Sequence, residues 1–333
     1  MAVEIVVGDC IQSLRAMPAQ SANCCITSPP YFGLRDYGHD GQIGLEQTPD
    51  EFVAKLVEVF REVRRVLRDD GTLWLNLGDT YAANRGGTTP PAQTVAGGVG
   101  GKGGQKERRG QADGYNPTRD CTRYGLKHKD LIGIPWRVAF ALQADGWYLR
   151  QDIIWHKPNP MPESVRDRCT KAHEYVFLLS KSERYYFDAD AIKEPVAGST
   201  IGRLTQPTLA RQEGSARVPG KTNGNMKAVG GTEKRNRRSV WTVTTKPFKG
   251  AHFATFPPDL IEPCVLAGCP AGGVVLDPFG GAGTTGLVAQ RHGRDAVLCE
   301  LNPDYADMAR ERIAAEPPNA GDKPQMRLFP EAA

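Results

Sequence analysis

The spacing of apolar residues alternates along the chain between the period of strands and the period of helices. Apolar runs at 3–7, 22–27 and 72–77 have the length of buried strands. Further strands are expected near 147–155, 174–180, 273–277 and 295–300, and helices near 10–17, 135–145, 257–268, 284–292 and 303–315. Strands that alternate with helices are typical of a mostly parallel sheet covered on both faces. The pattern therefore predicts an α/β fold.

One helix has a clear start and stop in the sequence. Thr48 is a capping residue, Pro49 fits the first turn, and Glu51 lies three positions after the cap. Apolar residues then recur at helical spacing up to Gly71: Phe52, Leu56, Val59, Phe60, Val63 and Leu67. These signals predict an amphipathic helix whose apolar face lies against the sheet.

Two polar stretches interrupt this alternation. Residues 82–126 contain repeated Gly-Gly pairs and few apolar residues, which predicts a flexible insertion. Residues 189–250 are polar, basic and too long for a simple connection, which predicts a small module. Net charge is +9 over residues 202–249 and +6 over residues 85–129, although the whole chain carries only +4. Two basic segments on an acidic body indicate a polyanionic partner, with solvated charged loops as the alternative.

Composition excludes several classes of protein. No apolar run approaches the roughly 18 residues that a membrane span needs, and the N-terminus enters a strand directly, which leaves no room for a signal peptide. The eight cysteines lack CxxC spacing. They are therefore expected to be buried thiols in a reducing cytoplasm, with no disulfide and no metal site.

A glycine-rich loop follows the predicted strand at 273–277. Residues 281–286 read GAGTTG, and Glu300 lies 19 positions after Gly281. Glycines let a ligand approach backbone amides, and a carboxylate at the end of the next strand can bind ribose hydroxyls. The motif alone fits any adenosyl cofactor, including NAD, and a purely structural glycine turn is the third interpretation.

Three features argue against NAD. The loop lies in the last sixth of the chain, so too little sequence follows it to complete a two-half dinucleotide fold. The preceding strand ends in Asp277, and a carboxylate facing the loop suits a cationic sulfonium better than a pyrophosphate. A second motif, at residues 28–31, has no use in hydride transfer.

That second motif reads Ser-Pro-Pro-Tyr and follows the predicted strand at 22–27. Consecutive prolines stiffen the chain and remove two backbone donors, so a rigid exit from the strand is one interpretation. The other is catalytic. The Ser28 hydroxyl and the Pro29 carbonyl could accept both N–H bonds of an exocyclic base amine and direct its lone pair at a methyl donor. Tyr31 would stack on the base after it leaves the duplex.

Together the two motifs resemble those of bacterial or phage DNA amino-methyltransferases of the beta arrangement, in which the catalytic turn precedes the recognition region and the S-adenosylmethionine (SAM) loop comes last. Further segments match in order: 8–10, 75–79, 155–160, Arg168, 173–175, 252–257 and 300–303. The resemblance implies a circularly permuted, Rossmann-like, seven-stranded mostly parallel sheet with a terminal hairpin. Strands 22–27 and 273–277 would lie side by side at its centre.

The resemblance also implies a role for individual residues. The catalytic turn would be Ser28, Pro29, Pro30 and Tyr31. SAM would be held by Asp9, Cys10, His252, Phe253, Thr255, Asp277, Phe279, Gly281, Gly283, Thr284, Thr285, Glu300 and Asn302. Arg235, Arg237, Arg238 and Lys246 would contact double-stranded DNA. The methyltransferase domain would comprise residues 1–188 and 251–320, with the recognition region at 189–250 and a tail at 321–333.

Serine at position 28 resembles the cytosine-N4 enzymes, whereas adenine-N6 enzymes usually have an acidic or amide residue there. Cytosine-C5 methylation needs an attacking thiolate, and the one Pro-Cys pair, at 263–264, lies in an apolar helix pattern. A protein-glutamine methyltransferase is disfavoured because it would normally have Asn in place of Ser28. A DNA-binding protein with an inactive methyltransferase fold is disfavoured because it would not need Ser28, Asp277 and Glu300 intact.

Some relatives have an acidic residue near the catalytic turn, where this chain has Asn76, with Asp79 three positions further on. Asp79 or solvent would then accept the proton. The DNA sequence recognised, the oligomeric state and the existence of a cognate restriction endonuclease, which need not contact the enzyme, stay open at this stage.

Overall fold

The structure is a computed structural model that describes residues 2–34, 39, 41–82, 125–196, 198, 201–202, 234–245 and 256–316. Its strands are β1 (Val3–Val7), β2 (Ala22–Thr27), β3 (Leu67–Leu77), β4 (Tyr148–His156), β5 (His173–Ser180), β6 (Glu194–Pro195), β7 (Lys234–Arg235), β8 (Val240–Thr242), β9 (Val274–Asp277) and β10 (Asp295–Glu300). Its helices are α1 (Cys10–Ala16), α2 (Pro49–Val66), α3 (Ile134–Ala144), α4 (Pro258–Gly268), α5 (Thr284–Arg291) and α6 (Pro303–Ala314). The predicted alternation of strands and helices is confirmed.

The main sheet has the order β1-β10-β9-β2-β3-β5-β4-β8. The pairings are parallel except those of β5, which is antiparallel to β3 and β4. β2 and β9 pair directly, with Cys24 opposite Val275 and Cys25 opposite Leu276, so the predicted central adjacency is confirmed. The sheet has eight strands rather than the expected seven, because the short β8 pairs with the free edge of β4.

Helices cover both faces of this sheet. On one face, α1, α2 and α3 bury a continuous apolar cluster against alternate residues of β3 and β5, among them Leu73, Leu75 and Phe177. The opposite face contains Trp74, whose ring lies 6.5 Å from that of Trp241. Covering both faces explains why the central strands are apolar at nearly every position.

The sequence signals at α2 act as expected at its start but not at its end. Thr48 and Glu51 form a reciprocal capping box, with Glu51 N donating to Thr48 Oγ1 at 3.1 Å. The helix ends at Val66 instead of continuing to Gly71. The apolar period runs on past it because Leu67 is already the first residue of β3, where it pairs with Ala22 of β2.

The described residues divide into two compact units, 1–187 with 239–333 and 188–238. The predicted recognition region at 189–250 therefore begins one residue after the second unit begins but extends beyond its end. Residues 240–242 belong to the first unit because β8 pairs with β4 in the main sheet. The second unit contains the two-stranded pairing of β6 with β7. Most of the predicted insertion at 82–126 lies outside the described residues.

No helix within the described part of the chain is long and apolar enough to cross a membrane. In the same residues, no group of three or more His, Cys, Asp and Glu side chains is arranged to hold a metal ion. The cysteines that the structure describes are all free thiols, and all except Cys169 are buried.

Candidate active site

Both predicted motifs leave the sheet at the same edge. β2 ends at Thr27, β9 at Asp277 and β10 at Glu300, and these three strands are neighbours. The carboxyl ends of parallel strands form the usual ligand-binding edge of an open α/β sheet. β1 ends there too, at Val7. The catalytic turn, the glycine loop and the Asp9 segment therefore meet at one edge of the sheet.

The glycine loop is packed too closely for side chains. Gly283 has a φ of +74°, and a Cβ there would lie 2.8 Å from the Cβ of Ala309 in α6. Glycine tolerates both the positive φ and this contact. The amide N of Gly281 donates to Glu300 Oε2 at 2.7 Å, and the amide N of Asn302 donates to Glu300 Oε1 at 2.9 Å. Glu300 therefore fixes the loop from the end of the adjacent strand.

The Glu300 carboxylate remains suited to ribose hydroxyls. It is half-buried, burial raises its pKa, and its oxygens accept from backbone amides that include those of Gly281 and Asn302. Carboxylate oxygens have about four lone-pair sites, so further donors can bind. A tight glycine cradle beside this carboxylate fits the adenosyl part of SAM.

The Asp277 carboxylate is buried beneath the glycine loop, although its place at the end of β9 predicted a carboxylate facing a ligand. The side chain is 1% exposed, and its Oδ1 accepts from Thr27 Oγ1 at 2.6 Å and from the amide N of Phe279 at 3.0 Å. Oδ2 accepts from Thr285 Oγ1 at 2.6 Å. Burial raises the pKa of this carboxyl to about 6. Asp277 thus ties the end of β2 to the first turn of α5, beneath the glycine loop.

Four other residues that were predicted to hold SAM also make structural contacts around the loop. Thr285 is fully buried, and the Thr284 hydroxyl accepts from Arg312 Nη1 at 2.8 Å. Phe279 is partly buried against the core, and Asn302 caps α6 by accepting from the amide N of Asp304. Their side chains therefore support the loop.

Asp9 and Cys10 lie beside Glu300, at the start of α1. The amide N of Gly8 donates to Glu300 O at 2.9 Å, and Asp9 caps α1 by accepting from the amide N of Gln12. Cys10 is buried, and burial and the charge of Asp9 raise the pKa of its thiol to about 12. The Cys10 thiol is therefore protonated at neutral pH, so it packs as an apolar side chain and does not act as a nucleophile.

The catalytic turn is fixed by the residues on either side of it. Pro29 is buried, while Ser28 and Tyr31 are half-buried. The Ser28 hydroxyl has no hydrogen-bond partner among the described residues. The ring of Tyr31 lies on Gly78, where an added Cβ would be 2.4 Å from Cε2. Ser28 and the fixed ring of Tyr31 therefore lie just after β2, at the same edge of the sheet as the glycine loop.

The hydroxyl of Tyr31 reaches a polar group at the start of β5. It donates to Glu174 Oε2 at 2.8 Å and lies 3.4 Å from Asn76 Oδ1. Glu174 Oε1 accepts from Lys157 Nζ. Glu174 and Lys157 lie in segments 173–175 and 155–160, which matched the family pattern, but no sequence signal indicated their link to Tyr31. Antiparallel pairing of β5 with β3 and β4 creates that link.

Neither Asn76 nor Asp79 is placed as a general base. Asn76 Nδ2 donates to the carbonyl O of Tyr175 at 3.0 Å. Asp79 Oδ1 accepts from the amide N atoms of Thr80, Gly133 and Ile134, and burial raises its pKa. Asp79 therefore caps the start of α3.

The basic residues predicted to contact DNA are partly paired inside the second unit. Arg235 Nε and Arg238 Nε donate to Glu194 Oε1 at 2.9 and 2.7 Å. The side chain of Arg238 remains 69% exposed and that of Arg235 33% exposed. Arg237 lies between them in sequence, whereas Lys246, His252, Phe253 and Thr255 lie outside the described residues.

Three comparisons with known proteins identify the family of this chain. A DNA methylase family, N6_N4_Mtase, matches residues 22–311. The chain is 49% identical over 313 residues to the type II methyltransferase M.Cfr9I of Citrobacter freundii, covering 94% of this chain and 88% of that protein. It is 46% identical over 310 residues to M.SmaI of Serratia marcescens, covering 93% and 90%.

Solved structures share the fold. PvuII DNA methyltransferase, which is cytosine-N4-specific, has a TM-score of 0.59 at 18% identity and covers 95% of this chain and 87% of its own. A putative DNA modification methylase from Thermus thermophilus, complexed with SAM, has a TM-score of 0.54 at 24% identity, covering 94% and 95%. The match over most of the length, with both motifs at one sheet edge, shows that the chain belongs to the N6/N4 DNA methylase family and is a SAM-dependent DNA methyltransferase.

Proposed function

We propose that this protein transfers a methyl group to the exocyclic N4 amine of a cytosine that has been flipped out of double-stranded DNA. The observation that supports cytosine is the hydroxyl of Ser28, a short neutral acceptor without a partner among the described residues. The resemblance of the SPPY motif links serine at this position with N4 methylation. The N6/N4 family covers both amines, so adenine N6 is the competing product.

Each residue at this edge has a separate role in the proposed reaction. SAM, when bound at the glycine loop, supplies the electrophilic methyl group. Glu300 would accept hydrogen bonds from the ribose hydroxyls of SAM while it holds the Gly281 amide. Ser28 Oγ and the Pro29 carbonyl accept the two N–H bonds of the base amine, which draws its lone pair out of the ring. Tyr31 packs against the base. Holding the reactants in line accounts for most of the rate enhancement.

No described side chain is committed to deprotonating the amine. Asp79 is half-buried and engaged in the cap of α3, and Asn76 has no basic site. Once the amine carries the methyl group it is strongly acidic, so its proton passes to solvent. The reaction thus needs no covalent enzyme intermediate, unlike C5 methylation.

The product test is direct. DNA methylated by the purified enzyme is digested to nucleosides and separated by chromatography with mass detection. N4-methylcytosine is expected as the only methylated nucleoside. N6-methyladenine alone would replace the cytosine assignment and keep the mechanism, whereas C5-methylcytosine would contradict the mechanism. Sequencing the same DNA for modified positions would give the recognition sequence.

Replacing Glu300 with alanine should weaken SAM binding by about 1–3 kcal/mol, because ribose hydrogen bonds are lost and the Gly281 amide is released. Isothermal titration calorimetry measures the change. Glu311→Ala, which alters a carboxylate on α6 away from the loop, is the control. Unchanged affinity in Glu300→Ala would remove Glu300 from the cofactor site.

Replacing Arg238 with alanine should weaken DNA binding and reduce the slope of log K against log salt by about one, because one phosphate contact is lost. SAM affinity should not change. Arg61→Ala is a matched control, since Arg61 on α2 is similarly exposed, at 65%, and also pairs with a carboxylate. An equal loss of DNA affinity in both variants would argue against a role for residues 235–238 in DNA binding.

A further inference from the structure

The ring of Tyr31 is held at two points. The ring packs on Gly78, where an added Cβ would lie 2.4 Å from Cε2 and would displace the ring. The hydroxyl donates to Glu174 Oε2 at 2.8 Å, and the distance to Asn76 Oδ1 is longer, 3.4 Å. The contact with Gly78 at one side of the ring and the bond from its hydroxyl to Glu174 together restrict the movement of the ring.

Glu174 is itself held by a cation. Lys157 Nζ pairs with Glu174 Oε1, and the two side chains are only 18% and 16% exposed. An ion pair this far from solvent is screened much less than one on the surface. Lys157 Nζ also lies 4.1 Å from the ring centroid of Trp155, within the range of a cation–π interaction. Glu174 therefore has little freedom to move away from Tyr31.

The sheet fixes the other end of this chain of contacts. Trp155 lies directly opposite Glu174 in the pairing of β4 with β5. The indole N–H of Trp155 donates to the carbonyl O of Val243 at 2.8 Å, just beyond β8. Backbone pairing therefore holds β8, β4 and β5 together. Side-chain contacts from Trp155 to Lys157 and from Lys157 to Glu174 then extend from these strands to Tyr31 in the catalytic turn.

We propose that Glu174, oriented by Lys157, is a positioning residue that fixes the Tyr31 ring as one wall of the pocket for the target base. This inference rests on the proposed function, since it assigns the ring of Tyr31 to the base. Glu174 does not touch the reacting atoms. It acts through the Tyr31 hydroxyl, and its loss should lower the turnover number while SAM affinity remains.

A double-mutant cycle on the full-length enzyme tests this coupling. The rate of methyl transfer from tritiated SAM to unmodified bacterial genomic DNA is measured at saturation for the wild type, Tyr31→Phe, Glu174→Leu and the double variant. Each single variant should lower kcat about 5- to 30-fold, and the double variant should lose little more than either. Additive losses would overturn the proposal, because Glu174 would then act independently of the hydroxyl.

Two further variants separate positioning from a general structural role. In Glu174→Gln, the amide can donate to Tyr31 Oη and its oxygen can accept from Lys157, so this variant should retain most of the kcat. If the negative charge of Glu174 were what mattered, Glu174→Gln would lose activity. Glu58→Leu on α2, which breaks an exposed pair with Lys55, is the control and should leave kcat unchanged. Loss of activity in Glu174→Gln equal to that in Glu174→Leu would contradict the hydrogen-bonding role.

The outcome is interpretable even if one variant does not fold. Lys157→Met removes the ion pair that holds Glu174. It should lower kcat when made in the wild-type protein but not when made in the Tyr31→Phe variant. An equal effect in both backgrounds would overturn the proposal. Chromatography of the same reaction products identifies the methylated base. A product other than N4-methylcytosine would change the proposed function, while the coupling between Glu174 and Tyr31 is measured independently of that identity.

Discussion

Replacing Tyr31 with alanine is expected to lower kcat about 5- to 150-fold while leaving SAM affinity unchanged. A base stacked on an aromatic side chain is stabilised by about 1–3 kcal/mol, and that range corresponds to this fold-change. The Tyr31 ring lies against Gly78, just after β3, whereas Asp277 and Glu300, which fix the glycine loop, lie at the ends of β9 and β10. Steady-state kinetics and calorimetry on the same preparation measure the two quantities.

The companion variant for this measurement is Gly78→Ala, which leaves Tyr31 itself intact. Its Cβ would lie 2.4 Å from Tyr31 Cε2, so the ring must move away from β3. A fall in kcat similar to that of Tyr31→Ala would show that the position of the ring, and not only its presence, governs turnover. Full activity in both variants would remove Tyr31 from the base pocket.

Replacing Asp277 with alanine is expected to lower the free energy of unfolding by about 2–5 kcal/mol. The change leaves three buried donors without their acceptor, the hydroxyls of Thr27 and Thr285 and the amide N of Phe279, and each orphaned donor costs about 1–3 kcal/mol. Relief of the desolvated carboxylate offsets part of that sum. Urea denaturation followed by circular dichroism gives the difference at pH 7.

The pH dependence of stability gives Asp277 a distinct signature. Burial raises its pKa to about 6 in the folded protein, above the value of about 3.9 expected in the unfolded chain. The protonated carboxyl therefore stabilises the fold below about pH 4, and this contribution, on the order of 3 kcal/mol, is lost as the pH rises through 6. Asp277→Asn cannot titrate.

Comparison of Asp277→Asn with the wild type isolates that contribution, because other titrating groups cancel in the difference. The stability of the wild type relative to the variant should fall between pH 4.5 and pH 7.5. A difference that stays constant over this range would show that Asp277 titrates near its ordinary pKa, and so is not desolvated as its position implies.

The sequence determined the main elements of the sheet, except the short β8, and the order of the motifs. Apolar runs and the capping box at Thr48 are local signals, and the spacing of side chains along a strand or helix follows from backbone geometry alone. The ordered motifs then predicted that β2 and β9 are neighbours, which the pairing of Cys25 with Leu276 confirms. The carboxyl-edge location of both motifs followed from that adjacency.

The sequence did not determine what the polar side chains at this edge bind. Asp277 follows an apolar strand just as a ligand-binding carboxylate would, and only its contacts with Thr27, 250 positions away, show that it lies beneath the loop. Glu194 likewise lies 41 and 44 positions before the two arginines that it pairs with. Such partners depend on how distant segments approach each other, which local periodicity does not encode.

The hydrogen bond between Tyr31 and Glu174 shows most clearly which features the sequence indicates and which only the tertiary structure decides. Sequence motifs identified each segment separately, but the two residues are 143 positions apart and lie on different elements. The antiparallel register of β5 with β3, which sets Tyr175 opposite Leu77, brings the start of β5 beside the catalytic turn. The sequence by itself thus determined the fold, the family and the edge where the chemistry occurs. The tertiary structure decided which side chains support that edge, because register and packing set distances that no local pattern contains.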